Sequence, residues 1–179
     1  MPYYFQMPRS SLAAAAPEAP APTTDPAWRL THLGRLLGHS LRRFDARVLQ
    51  LMARDAQVPL ALSNLAAREQ ISAAHIHITR HLSVRGSRLT DLARSAGMSK
   101  QAMGDLVDQC EAWGLIRREA DPQDRRARQV VFTAVGLTWL DAFERAVAQA
   151  QEEFTQAVGP EVATVVALGL EAYAQGYEP

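Results

Sequence analysis

The sequence holds a single cysteine, Cys110, among 179 residues. That excludes an intramolecular disulfide framework and any cysteine-rich zinc site. Net charge is also missing, because 19 Lys and Arg balance 19 Asp and Glu. No run of about 18 apolar residues occurs, so no segment reads as a membrane span. The N-terminal residues lack the basic-then-apolar order of a secretory signal, and a cytoplasmic location is expected. There is no Gly-rich phosphate loop, no GxSxG elbow, no HExxH pair and no evident acid pair. An enzyme is therefore not expected, and nothing in the chain calls for a cofactor.

What is present is uneven. Residues 80–133 carry ten Lys and Arg against seven acids, a net of +3. Residues 134–179 carry one Arg against seven acids, a net of −6, and residues 1–79 carry eight Arg against five acids, a net of +3. Charge segregated in this way gives one region suited to phosphates and another that is not. Hydrophobic residues make up 47% of the chain, enough for a sizeable core in one domain of this length.

Residues 1–26 are rich in Ala and Pro and are expected to form a flexible extension that buries little. The expected domain covers 27–179. From Trp28 to about Asp55, Leu30, Leu33, Leu37, Leu41, Phe44, Val48 and Leu51 recur every three or four residues, the period of a long amphipathic helix. A short helix is expected after Ser63, with Leu65 inward. Another follows the N-cap Ser72 and carries Ile76, Ile78 and Leu82, with Gly86 ending it. Beyond Gly136, Leu137, Leu140, Phe143, Val147, Phe154 and Val158 mark a second long apolar stripe. Gly159 and Pro160 stop that helix and start another, bearing Val162, Val165, Val166, Gly169 and Tyr173 on one side. This is more apolar helix surface than a small module needs, and pairing of two chains through both ends, 27–58 and 134–179, is its simplest use.

Between the long helices, residues 72–133 read as a helix-turn-helix followed by a two-stranded hairpin. Leu89, Leu92, Ala93 and Ala96 share one face of the first helix, and Gly97 supplies the turn. Ser99 caps the second helix, spanning 99–113, whose buried stripe is Met103, Leu106, Val107 and Cys110. Gly114 stops it. LIRREA and QVVFT then form short strands around DPQDRRAR. The overall expectation is a mainly α fold with a small β-wing: a winged helix-turn-helix flanked by N- and C-terminal dimerisation helices.

The buried stripe of the second helix leaves Lys100, Gln101 and Gly104 facing outward near its N-terminus. Free N–H groups there, with the cap at Ser99, suit a phosphate. Gln pairs two-fold with adenine, and Lys donates to the guanine edge. Gly104 costs the helix about 1 kcal/mol relative to Ala. Either a close approach to DNA or a tight helix–helix crossing would explain it. Asp105 and Asp108 would repel phosphates and are expected to pair with arginines or to face solvent. In the hairpin tip, Arg125, Arg126 and Arg128 suit a narrow minor groove, which attracts guanidinium groups. Arg117 and Arg118 either touch backbone or flank the sheet.

The stretch LTDLARSAGMSKQAMGDLVDQCEAWGLIRREADPQDRRARQVVFTAVG resembles the MarR (multiple antibiotic resistance regulator) family of winged-helix repressors, and the resemblance extends over about residues 28–175. It implies a homodimer whose terminal helices intertwine, double-stranded DNA with a palindromic operator as partner, and release by a small aromatic ligand. It further implies that the second helix docks in the major groove and that the wing, 121–128, enters the minor groove. On the motif match Arg126 is the inserting arginine, with Asp121 and Asp124 bracing it. Gly104 and Asp105 stand where the family often has a larger polar or basic residue, so base contacts do not carry over from other members.

Three other features are weighed against blander readings. His77 and His81 share a helical face, and His75, His32 or His39 could add to them, but a zinc site needs a full ligand set, and no metal site is expected. Cys110 lies on a buried stripe, which opposes a redox role. Trp28, Trp113 and Trp139 are better read as core than as a ligand pocket. The reading from a different class is a winged-helix protein–protein interaction module without an operator of its own.

Overall fold

The computed structural model describes residues 27–67, 70–124 and 126–175. The Ala/Pro-rich segment 1–26 lies outside them. The chain divides into a short unit ending at Leu36 and a main unit beginning at Leu37. The short unit holds helix α1, Trp28–Thr31, and the first turn of α2, Leu33–Met52. The single long helix expected from Trp28 is thus interrupted at His32, whose ψ of 147° is extended. Its Nδ1 accepts the Arg35 N–H at 3.2 Å and starts the next turn.

In the main unit α2 turns Asp45, Val48 and Met52 inward. Helix α3 spans Leu60–Ala67, not a segment capped by Ser63. Pro59 presets the first turn, and its carbonyl accepts the N–H groups of Leu62 and Ser63. Ser63 instead lies inside the helix, its hydroxyl directed at the Val58 carbonyl. Helix α4, Ala73–His81, starts after Ser72 as its sequence predicts. It ends at Leu82, earlier than Gly86, which takes φ +91° in the turn beyond.

The strand after that turn was not expected. Strand β1, Ser87–Arg88, pairs antiparallel with β3, Arg128–Phe132, which also pairs with β2, Ile116–Ala120. The sheet therefore has three strands in the order β1-β3-β2 rather than two. A two-residue strand has no periodicity to detect, and only the returning β3 creates it.

Helices α5, Leu89–Ser95, and α6, Lys100–Ala112, lie between β1 and β2. Both end in the same hydrogen-bonded motif. Gly97 and Gly114 adopt φ +63° and +73°. The next residues, Met98 and Leu115, donate back to the carbonyls of Ala93 and Cys110 at 2.9 and 3.0 Å. Glycine enters this left-handed corner at little cost, whereas residues with a Cβ rarely adopt its positive φ. The Ser99 hydroxyl accepts the Ala102 N–H at 3.1 Å, and Met103, Leu106, Val107 and Cys110 are buried as their spacing requires.

Helix α7, Ala134–Val158, begins at a close approach. Thr133 accepts the Gly136 N–H on its hydroxyl, which itself reaches the carbonyls of Gly114 and Leu115. A Cβ on Gly136 would stand 1.9 Å from the Leu115 oxygen. The buried stripe of α7 runs through Trp139, Ala142, Phe143, Ala146 and Ala150. Leu137, Phe154 and Val158, part of the expected apolar stripe, are exposed. The alanines let α7 approach the core, and the larger residues form a second stripe. Helix α8, Pro160–Gln175, leaves α7 at 119° and buries no residue. Among the described residues no single helix is long and apolar enough to cross a membrane.

Gly136→Ala should destabilise the fold by roughly 1–3 kcal/mol or more, the range for overpacking a filled site. A lower urea midpoint with an unchanged slope would show it. Equal midpoints would mean that the junction has room to give.

Candidate nucleic-acid interface

The face of α6 opposite its buried stripe carries Lys100, Gln101, Gly104, Asp105 and Asp108. Spacings of one, four, five and eight residues place them on one side of a helix. Lys100, the only lysine in the chain, is exposed together with Gln101, Asp105 and Asp108. Gly104 has open space on this side, and a Cβ there would meet only Leu89 Cδ2, at 4.0 Å. The glycine therefore does not serve a tight helix crossing.

The wing is a closed loop. Asp121 N–H donates to the Ala127 carbonyl at 3.0 Å, and Ala127 N–H donates to Asp124 O at 2.8 Å. The Asp121 carboxylate accepts the Gln123 N–H at 2.8 Å, and that of Asp124 accepts the Arg126 N–H at 3.1 Å. These two aspartates hold the backbone of the tip, not the guanidinium of Arg126. Their cationic partner is Arg88 on β1, whose Nε lies 2.7 Å from Asp121 and whose Nη2 lies 3.8 Å from Asp124. Arg88 escaped the sequence reading because its strand did. A lone arginine before a helix carries no local signal of a partner 33 residues away.

The remaining arginines sort by their partners. Arg118 is engaged by Asp108 and Glu111 from α6, and Arg117 by Glu119 at 3.0 Å. Neither presents an unshared charge. Arg126 and Arg128 are exposed, and among the described residues no carboxylate pairs with either. Arg125 lies outside the described residues.

Behind α6, His75 is tied into the packing. His75 is buried, accepts the Ser72 N–H on Nδ1 at 3.1 Å, and so carries its proton on Nε2, 2.8 Å from Gln109 Oε1. Trp113 packs against it with ring centroids 4.8 Å apart. His77 and His81 stack at 5.9 Å. Among the described residues no three ligating side chains converge. Cys110 is buried, and loss of hydration pushes its thiol up to about 12. It borders a cavity of about 10 Å³ with His75, Thr79 and Trp139, room for no more than about one water. Trp139 is core, its indole N–H donating to Thr79 at 3.1 Å, whereas Trp28 is 60% exposed.

The wing clamp has a defined pH response. The Gln123 N–H and the Arg88 guanidinium hold the Asp121 carboxyl below the usual carboxylate range. A lowered folded value means that the clamp stabilises fully above the unfolded value, about 3.9. It is lost as pH falls through the folded value. The Arg88 side-chain N–H resonance should therefore keep its shift from neutrality to about pH 4 and move only below. Asp121→Asn should remove that transition. A separate test concerns Cys110, which should resist alkylation by a bulky maleimide in the folded protein, since its thiolate is not populated at neutral pH. Rapid labelling without unfolding would contradict its burial.

Comparison with known proteins agrees with this architecture. A sequence model of the MarR family matches residues 69–127. No curated protein sequence matches the chain. Among solved structures, the transcriptional repressor CouR bound to a 23-mer DNA duplex is 20% identical, with a TM-score of 0.59, over 85% of this chain and 99% of that one. CouR from Rhodococcus jostii RHA1 bound to p-coumaroyl-CoA is 19% identical, with a TM-score of 0.56, over 83% and 99%. Wild-type MarR from E. coli, in its apo form, is 22% identical, with a TM-score of 0.55, over 79% and 96%. The structural likeness shows the fold over most of the chain, and residues 69–127, which hold the helix-turn-helix and most of the wing, match the sequence model of the MarR family.

Proposed function

We propose that this chain is a homodimeric, sequence-specific DNA-binding transcriptional regulator without enzymatic activity, acting in the cytoplasm. The observation that carries the reading is the sorting of charge around α6 and the wing. Arg88, Arg117 and Arg118 are engaged by carboxylates, while Lys100, Arg126 and Arg128 are exposed and have no carboxylate partner among the described residues. An exposed cation without a partner costs nothing to redirect to a phosphate or a groove. Helix α6 docks in the major groove through Ser99, Lys100, Gln101 and Gly104. The wing, with Arg125, Arg126 and Arg128, reaches the minor groove, and Arg126 is the inserting residue.

The pairing of two chains rests on apolar surface. Every described residue of α8 is left unburied by the monomer, including Val162, Val165, Val166 and Leu168. Leu30, Leu33, Leu36 and Leu41 are also exposed. Exposed apolar surface of this kind on the terminal helices is what an obligate interface leaves when its partner is removed. Two copies related by a two-fold axis would bind a palindromic operator. CouR has been solved with a DNA duplex and with an aromatic acyl thioester, which supports a repressor released by a small aromatic ligand. The cavity beside Cys110 is too small for such a molecule, so the ligand would sit among the paired terminal helices rather than in the core.

Three measurements test the reading. Affinity for an operator selected from genomic fragments should fall steeply with salt, with a log–log slope near −0.9 per neutralised phosphate. A salt-independent complex with another protein would favour an interaction module instead. Arg126→Ala should weaken operator binding by roughly 1–3 kcal/mol in a fluorescence-anisotropy titration at fixed salt. Val165→Asp should yield monomers in analytical ultracentrifugation and lose operator affinity with them.

A further inference from the structure

The acids on the exposed face of α6 are not treated alike. Asp108 is tied to Arg118, and Glu111 is tied to the same arginine. Asp105 is exposed, and among the described residues it makes no hydrogen bond or ion pair. It stands in the second turn of the helix, one turn beyond Gln101 and beside Gly104. A lone carboxylate on a surface meant for a polyanion is repulsive unless it accepts something. The side chain just before it has been removed to hydrogen, although an Ala would fit the protein. The two facts point the same way. Gly104 clears a path by which a base edge can reach the Asp105 carboxylate.

The donor that fits is narrowly defined. In the major groove adenine offers an amino group beside an acceptor, whereas cytosine offers its N4 amino group as a lone donor. An ionised carboxylate only accepts. Adenine N7 would repel it, and guanine O6 and N7 would repel it more. We infer that Asp105 is a specificity-determining residue that accepts the N4 amino group of a cytosine in each half-site, reached across the space left by Gly104. This rests on the DNA-binding reading above. It adds a rejection rule: at the base pair facing Asp105, guanine on the contacted strand is excluded by repulsion as well as by loss of a hydrogen bond.

The experiment uses the full chain and the duplex it selects from a randomised pool. The wild-type half-site should contain one cytosine whose replacement by any other base weakens binding roughly ten- to a hundredfold. Asp105→Ala should bind all four bases at that position within about threefold of one another, keeping its discrimination elsewhere. Asp105 makes no hydrogen bond or ion pair among the described residues, and Ala has the higher helix propensity, so the thermal midpoint should not fall, which separates readout from folding. Gly104→Ala should raise the midpoint slightly yet weaken the selected duplex at least tenfold, by blocking the path. Uniformly tighter binding of Asp105→Ala to every sequence, with unchanged base preferences, would show that the carboxylate only repels phosphates and would overturn the assignment. Undiminished binding by Gly104→Ala would overturn the role of the cleared path. Failure of the wild-type chain to enrich any duplex would instead refute the DNA-binding reading on which the assignment rests.

Discussion

The Leu115 carbonyl is the point on which the structure turns. It accepts the Thr133 N–H at 3.0 Å and lies within 3.2 Å of the Thr133 hydroxyl. That hydroxyl caps α7 through Gly136, whose missing Cβ allows the approach. Leu115 itself donates back to Cys110 in the corner that ends α6. One carbonyl thus joins the outward-facing helix, the base of the sheet and the start of a 25-residue helix. Alongside the route through α4, where Trp139 bonds Thr79 and His75 bonds Gln109, these few bonds couple α7 directly to the end of α6. If binding at the terminal helices controls DNA contact, this junction is the stiff connection that would transmit it.

Electrostatics then divides the arginines into structural and unspent groups. Arg47 holds Glu153 at 2.7 Å, Arg80 holds the buried Asp45 at 2.7 Å, and Arg145 holds Asp55 at 2.7 Å. These pairs bind α2 to α7 and α4, and α7 to the loop after α2. The Arg47 contact keeps the Glu153 carboxyl below its usual range. Arg88 performs the same task for the wing. Because exposed pairs contribute little individually, their value here is in geometry: each holds one element at one place on another. Of the arginines without an ion pair among the described residues, Arg126 and Arg128 lie on the wing, where the proposed function needs them, while Arg29, Arg35, Arg42, Arg43, Arg54 and Arg85 lie on α1, α2 and the loops. Zero net charge therefore says little, since the acids are engaged largely in supporting roles or sit on the terminal helices.

The proposed dimer gives the exposed apolar stripe of α7 and the whole of α8 a common purpose. Alanines on the inner side of α7 set a short distance to the core, and larger residues on the outer side await a partner. The same division explains why the core cavity is so small. The domain packs its interior closely with Trp139, Phe143 and the residues around Cys110, and keeps its unfilled apolar surface outside.

Much of this was legible in residue order alone. The caps at Ser72 and Ser99, the glycine corners at Gly97 and Gly114 and the buried stripe of α6 are local devices, specified by residues within a turn of each other. They and the RREADPQDRRAR pattern determined the winged helix-turn-helix. Tertiary structure decided whatever depends on residues meeting from afar. Strand β1 exists only because β3 returns to it. Arg88 finds Asp121 only once the sheet has closed. Which of the two apolar stripes on α7 is buried depends on where α4 and the sheet come to lie. The Asp121 and Asp124 carboxylates hold the backbone of the wing at Gln123 and Arg126 and share Arg88 as their cationic partner, and Gly104 is unconstrained by packing. Periodicity shows that a face is apolar or that a charge is exposed. It carries no information on which distant partner will cover the one or neutralise the other.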